Sequence, residues 1–254
     1  MPAPVEPTRL NRQDGMPATL YFAIGDVHGE SAKLAALHDA ILDRIQFEKL
    51  PARIVHLGDY VDRGPDTRGV IDRIMALEEM FAGSETVQVI SLMGNHEQMM
   101  LNAYDSTLDP GTWWSQGGAE AADSYAGGTG RAGTDWRDHV PKAHINWMRR
   151  LLPIYRDFAR KLVFVHAGIE PASFPNESER TYLWTRSERF FNDDAWPSRP
   201  ELAGLTVVHG HTPVDFRPEL KIRRINVDTG ACFGGPLTAV ILQDGAEPQF
   251  IAAR

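Results

Sequence analysis

Five short blocks of ligand-type residues, each placed just after an apolar run, constrain this chain more than any other feature. They read Gly25-Asp26-Val27-His28-Gly29, Gly58-Asp59-Tyr60-Val61-Asp62-Arg63-Gly64, Gly94-Asn95-His96-Glu97, His166-Ala167-Gly168 and His209-Gly210-His211-Thr212. In open α/β sheets, functional groups gather beyond the carboxyl ends of strands, where residues distant in sequence can meet. Taken singly, a Gly-Asp pair is an ordinary turn and a histidine at a strand end an ordinary packed or solvated residue. Five blocks at corresponding places are expected to build one site. Carboxylate, imidazole and amide donors without a thiolate suit manganese, iron or zinc, which points to metal-assisted hydrolysis.

The coarse pattern agrees with such an architecture. Residues 19–24, 52–57 and 86–93 are apolar runs that read as strands. Between them Leu34, Leu37, Ile41 and Ile45, then Val70, Ile71, Ile74, Leu77 and Phe81, recur at helical spacing. A β-α-β-α-β start favours parallel pairing with right-handed crossovers. Residues 161–165, 205–208, 221–227, 236–242 and 248–252 also read as strands, with little room for helices between the last three. A return through Asp228-Thr229-Gly230 toward Pro236, with Phe233-Gly234-Gly235 as a loose loop, predicts an antiparallel hairpin and a second, mixed sheet. The expected fold class is α/β, two packed mixed β-sheets in a β-sandwich flanked by helices.

Residues 105–141 are rich in Gly, Ser, Trp and Asp without clear periodicity, and are expected to form a loop or lid. Trp113 and Trp114 could stack on an adenine, pack against a peptide or seal the core beneath that loop. The 254 residues leave room for one domain, residues 19–254, behind a flexible N-terminal tail, residues 1–18.

A net charge of −8 argues against a broad nucleic-acid or anionic-membrane surface, so an anionic substrate must be drawn by local cations. Cys232 is the single cysteine, so no disulfide forms within the chain. With no long apolar span and no signal-peptide pattern at the start, a cytoplasmic location is expected. No heptads argue for an assembly, which makes a monomer the default. Cys232 also lacks the arginine six residues on that a cysteine-dependent phosphatase would use, since Thr238 stands there. Gly128-Thr129-Gly130-Arg131-Ala132-Gly133 follows no apolar strand, and His96-Glu97-Gln98-Met99-Met100 lacks the second histidine of a zinc-protease helix, so neither carries its motif's chemistry. His38, His56, His139 and His144 read as structural, and His209 as a supporting neighbour of His211.

The five blocks resemble the signature of the metallophosphoesterase superfamily. The forms Gly58-Asp59-Tyr60-Val61-Asp62-Arg63-Gly64 and Gly94-Asn95-His96-Glu97 are specific to its phosphoprotein phosphatase branch. Residues 114–125, Phe164-Val165-His166-Ala167-Gly168-Ile169, Leu183-Trp184-Thr185-Arg186 and Gly210-His211-Thr212-Pro213 are similar to small bacterial serine/threonine protein phosphatases. The resemblance extends in chemistry to symmetrical diadenosine tetraphosphatases.

The resemblance implies a calcineurin-like fold and two divalent metal ions, manganese foremost, with iron or zinc as alternatives. The first would take Asp26, His28 and Asp59, and the second Asp59, Asn95, His166 and His211. A carboxylate such as Asp59 can span cations about 3.5–4 Å apart, and metal coordination can lower the pKa of water toward about 7, so a metal-bridging hydroxide would attack phosphorus directly. Arg63, Arg186 and Asn95 would hold the phosphate, His96 would protonate the departing alkoxide, and Asp62 would hold the His96 imidazole. The implied substrate is phosphoserine or phosphothreonine in a protein, or another small phosphorylated molecule. Symmetrical diadenosine tetraphosphate hydrolysis is the alternative, and a non-catalytic phosphate-binding protein a third reading. Residues 119–123, a plain Ala/Glu/Asp stretch where relatives carry substrate-positioning groups, leave that choice open.

Overall fold

The structure, a computed structural model, describes residues 18–107, 110–128, 130, 133 and 135–254. Strands β1 (Leu20–Ile24), β2 (Ala52–His56) and β3 (Val87–Ser91) pair in parallel, joined by helices α1 (Ser31–Glu48) and α2 (Thr67–Met80). Every residue of β1 is buried. Leu20, Phe22 and Ile24 face the helix layer, while Tyr21 and Ala23 face the second sheet. Burial on both faces is why this strand reads as an unbroken apolar run rather than an alternating one.

The second sheet contains β4 (Ile154–Asp157), β5 (Leu162–Val165), β6 (Thr206–His209), β7 (Glu219–Leu220) and β8 (Arg224–Asn226), in the spatial order β4-β5-β6-β8-β7. Strands β9 (Leu237–Gln243) and β10 (Gln249–Ala253) return to the first sheet, whose order is β10-β9-β1-β2-β3. Both sheets are mixed, and helices flank them. Tyr21, Val55, Leu57, Phe164, Val208, Ile225 and Val240 form the apolar layer between the sheets.

The hairpin expected through Asp228 to Pro236 does not form. Strand β8 pairs in parallel with β6, whereas β9 pairs antiparallel with β1 in the other sheet. Gly230 and Gly234 have positive φ, so the connection does turn as its glycines allow. Turn chemistry sets the bend but not the partner, and the open edge of β1 takes β9. The hairpin of this region is instead β9–β10. The strand read over residues 221–227 is regular only at Arg224–Asn226, and the short, half-buried β4 and β7 carry no apolar run that would reveal them.

Residues 105–141, expected to be a loop or lid, are largely helical among the described residues. They contain turns at Pro110–Trp113, Trp114–Gly118, Ala119–Tyr125 and Trp136–His139. The second of these is a π-turn in which Gly117 adopts a φ of 106°. Short turns broken by a left-handed glycine leave no sustained 3.6-residue period to read. Trp113 and Trp136 are buried with ring centroids 4.5 Å apart, so Trp113 seals the core and has no face free for a base. The expected tail falls outside the described residues except for Ala18, as does part of the rejected glycine motif near Gly130.

One polar clamp ties the sheets together at the end remote from the blocks. Tyr21 donates to Asp157 at 2.5 Å, and the buried Arg160 bonds both Asp157 at 3.2 Å and Asp244 at 3.0 Å. Among the described residues, no helix is long and apolar enough to cross a membrane.

Candidate active site

The five blocks converge where the strands end. Gly25 continues β1 so close to β8 that a Cβ there would lie 2.3 Å from the Val227 carbonyl oxygen, and the chain then delivers Asp26 and His28. The block after β2 delivers Asp59, Asp62 and Arg63, and helix α3 (Asn95–Tyr104) starts with Asn95 and His96. His166 follows β5, and His211 follows β6. His28, Asp59, Asp62, Arg63 and His211 all have positive φ, at 44°, 55°, 72°, 66° and 68°. Non-glycine residues rarely adopt this region, and such backbone clusters at functional sites when the surroundings hold it.

Glu97 does much of that holding. Its buried carboxylate accepts the backbone N–H groups of Asp59, Tyr60, Val61 and Gly94 at 2.7–3.1 Å. Gly94 is obligatory in this arrangement, because a Cβ would lie 2.2 Å from Asp59 Oδ1.

The side chains form two adjoining groups. His28 Nε2 lies 3.4 Å and His96 Nε2 3.9 Å from Asp59 Oδ2. On the other side His166 Nε2 lies 3.3 Å from Asp59 Oδ1, 2.9 Å from Asn95 Oδ1 and 3.1 Å from His211 Nδ1. Asp59 thus stands between the two groups, as a shared ligand must. Asp26 accepts the His211 backbone N–H on both oxygens at 3.1 Å. Arg63 donates to His28 Nε2 at 2.9 Å, and its guanidinium lies 3.0 Å from His96 Nε2 and rests over the Phe233 ring.

Hydrogen bonds set the tautomers of the candidate ligands. His28 Nδ1 donates to the Val61 carbonyl at 2.8 Å and His166 Nδ1 to that of Leu57 at 3.1 Å, which turns both Nε2 atoms toward Asp59. Burial pushes the His28 pKa down to about 3, and burial with His166 pushes that of His211 down to about 2, so both are neutral as ligation requires. Burial opposes a charged His166, yet Asp59, Asp26 and Glu97 raise its pKa to about 9. Asp59 is held well below the usual carboxylate value by His166, His96 and His28 despite its burial. The centre therefore demands positive charge among lone pairs of mixed N and O type. That is the chemistry of a divalent-cation site, and His28, Asp59, His166, Asn95 and His211 fit it. His96 also offers an atom within 4.8 Å of those of His28 and Asp59. Its Nδ1 is engaged by Asp62 at 2.7 Å, however, and its Nε2 is turned toward Arg63 and Asp59, which line a pocket with it.

That pocket has a volume of about 330 Å³. The sequence-read Asp59, Arg63, Asn95, His96, Arg186 and His211 line it together, while the buried Asp26, His28, Asp62 and His166 are not part of its lining. Its remaining lining, Met99, Thr112, Gln116 and Trp184, was not assigned from sequence. Nor were Trp113, which donates to both Asp62 oxygens, or the buried Asp228, whose carboxyl burial pushes up to about 6 beside Asp26. Glu97 stood inside a quoted block, and its spacing from Gly94 matches the N3 position of a helix start. Trp113 was read as a stacking, peptide-packing or core-sealing ring, and no signal pointed to Asp62. His209 is buried against Phe190 and bonds the Gly210 carbonyl at 3.0 Å, while His38 pairs with His56 at 2.9 Å well away from the pocket.

The sequence pattern of the calcineurin-like phosphoesterases matches residues 21–244. This chain belongs to that family. It is 26% identical over 236 residues to serine/threonine-protein phosphatase 1 of Salmonella typhimurium, the match covering 87% of this chain and 91% of that one. It is 28% identical over 218 residues to the symmetrical bis(5'-nucleosyl)-tetraphosphatase of Erwinia tasmaniensis, covering 83% of this phosphoesterase and 64% of its relative. The chain spans 39% and 64% of the length of two tetraphosphatases that it matches. A serine/threonine phosphatase structure from Saccharomyces cerevisiae superposes with a TM-score of 0.58 at 14% identity, over 98% of this chain and 84% of that one. The fold is shared, and the relatives' names divide between two substrates.

Proposed function

We propose that this phosphoesterase hydrolyses phosphate monoesters of serine and threonine in proteins, as a cytoplasmic monomer with two divalent cations, manganese foremost, at the Asp59 centre. The observation that carries the reading is His96. Its Nδ1 is fixed on Asp62 at 2.7 Å while its ring lines a pocket together with Arg63 and Arg186. An alkoxide leaving from serine or threonine is strongly basic and needs a proton as the P–O bond breaks.

When bound, the cations supply acidified water and charge neutralisation for the phosphoryl group. Asp26, His28, Asp59, Asn95, His166 and His211 are the residues that would hold them. Arg63 and Arg186 bind the phosphoryl oxygens through planar paired donors. His96 hands its Nε2 proton to the leaving oxygen. Burial opposes a charged His96, but Asp59 and Asp62 outweigh it and raise the pKa above 6.5, keeping the proton available.

A second reading, hydrolysis of symmetrical diadenosine tetraphosphate, is supported by Arg63, Arg186 and Trp184 lining one pocket, which offers charge for two phosphates beside an aromatic wall. The test compares manganese-loaded protein on a phosphothreonine peptide and on diadenosine tetraphosphate, with Asp59→Asn and His96→Ala as controls. Preferential peptide turnover, lost in both variants, is the expected result. Preference for the dinucleotide selects the second reading, and turnover of neither leaves a phosphate-binding protein or a substrate outside both classes.

A further inference from the structure

Asp62 holds His96, and a residue outside the five blocks holds Asp62. The Trp113 indole N–H lies 2.9 Å from Asp62 Oδ1 and 3.1 Å from Oδ2, while His96 Nδ1 reaches Oδ2 at 2.7 Å. All three side chains are buried. A carboxylate that meets only one imidazole can rotate and offer either oxygen. A second donor shared across both oxygens fixes its plane and therefore the direction in which the imidazole points. The indole bond also takes up part of the carboxylate's accepting capacity, so Asp62 orients the His96 proton without competing as strongly for it.

Trp113 is itself locked. Its ring packs at a tilt against Trp136 with centroids 4.5 Å apart, and a Cβ on Gly118 would lie 2.4 Å from the indole. Its neighbours in the same helical turns, Thr112 and Gln116, line the pocket. The Gly117 carbonyl accepts the Arg63 backbone N–H at 3.0 Å. One segment thus faces the substrate, seats Arg63 and orients the acid.

We propose that Trp113 is a positioning residue for proton donation by His96, acting through Asp62. This rests on the reading of His96 as the acid in ester hydrolysis. The competing account is that Trp113 only fills the core and its N–H merely takes a convenient buried acceptor. The two differ in how the damage depends on the leaving group. An alkoxide requires the proton, whereas p-nitrophenolate leaves well without it.

The experiment measures kcat and KM of manganese-loaded wild type, Trp113→Phe, Trp136→Phe and His96→Asn on p-nitrophenyl phosphate, β-glycerol phosphate and a phosphothreonine peptide. Phenylalanine keeps most of the packing and removes the donor. For Trp113→Phe, kcat on the alkyl esters is expected to fall about 10- to 100-fold, part of the roughly 10²- to 10⁴-fold contribution of general acid catalysis. On the aryl ester it stays near wild type, KM holds throughout, and His96→Asn shows the same pattern more deeply. Trp136→Phe, which leaves the indole–Asp62 bond in place, shows no such pattern. Equal losses on all esters in Trp113→Phe, no loss on any, or the same discrimination in Trp136→Phe overturns the proposal. If wild type cleaves no alkyl ester, the substrate reading has failed, and the His96 Nδ1 proton decides the positioning role by NMR. Identified by its disappearance in His96→Asn, that resonance should shift or exchange faster in Trp113→Phe; an unchanged resonance overturns the role.

Discussion

The Glu97 carboxylate accepts the backbone N–H of Asp59 at 2.9 Å, so the first turn of one helix holds the carboxylate that stands between both halves of the site. Three more buried N–H groups depend on the same side chain. Glu97→Gln replaces two acceptor oxygens with one and turns an amide donor toward N–H groups. Each orphaned buried donor costs about 1–3 kcal/mol, so a thermal melt should show a clearly lowered Tm together with lost activity. A variant with wild-type Tm would show that the turn holds itself.

Divalent cations should stabilise the folded chain, because a site of converging lone pairs exists only there. At a manganese concentration one hundred times Kd the gain is about 2.7 kcal/mol. Melting with and without chelator should show Tm rising with manganese, and rising less in His211→Ala. An identical response in the variant would remove His211 from the ligand set.

Gly117 has a φ of 106°, and a Cβ on it would lie 2.6 Å from Arg63 Cγ. Gly117→Ala therefore strains the turn and displaces the guanidinium. A tenfold weaker competitive inhibition by inorganic phosphate corresponds to about 1.4 kcal/mol. That is the expected scale, and unchanged phosphate inhibition would mean that Arg63 does not bind the anion.

Arg160 links the sheets through Asp157 and Asp244, both largely buried. Arg160→Ala leaves buried carboxylates unpaired, at a cost of about 3–5 kcal/mol in unfolding free energy by urea titration. Asp157 also makes the clamp acid-sensitive. Burial would raise its pKa, but bonds from Tyr21 and Arg160 outweigh this and hold it below 3.8. Between the folded and unfolded values the unfolded chain binds more protons. The stabilisation is therefore complete above the unfolded value and is lost as pH falls through the folded one. Asp157→Asn should flatten that acid limb, and an unaltered limb would place the acid sensitivity elsewhere.

Much of the candidate site was legible because its ligand-type residues come in short blocks, and strand ends bring such blocks together. Asp26, Asp59, Asn95, His166 and His211 could be named without coordinates for that reason. Arg186 could be named too, although it lies on the pocket's exposed rim rather than in the buried cluster. The bond from Trp113 to Asp62 could not, since Trp113 belongs to a stretch without periodicity and reaches Asp62 only through the packing of short helical turns.

The strand partners divide in the same way. Continuous apolar runs such as residues 20–24 announce a strand buried on both faces, and the spacing of Leu34, Leu37 and Ile41 announces the helix that covers it. Nothing in residues 237–243 says that they join β1 rather than β8. The sequence by itself determined the apolar strands, the long crossover helices and the donor chemistry of the candidate metal ligands, because periodicity and residue type are local. Only the tertiary structure decided which sheet each late strand enters and which indole orients Asp62, because open edges and buried hydrogen-bond partners exist only after the layers have packed.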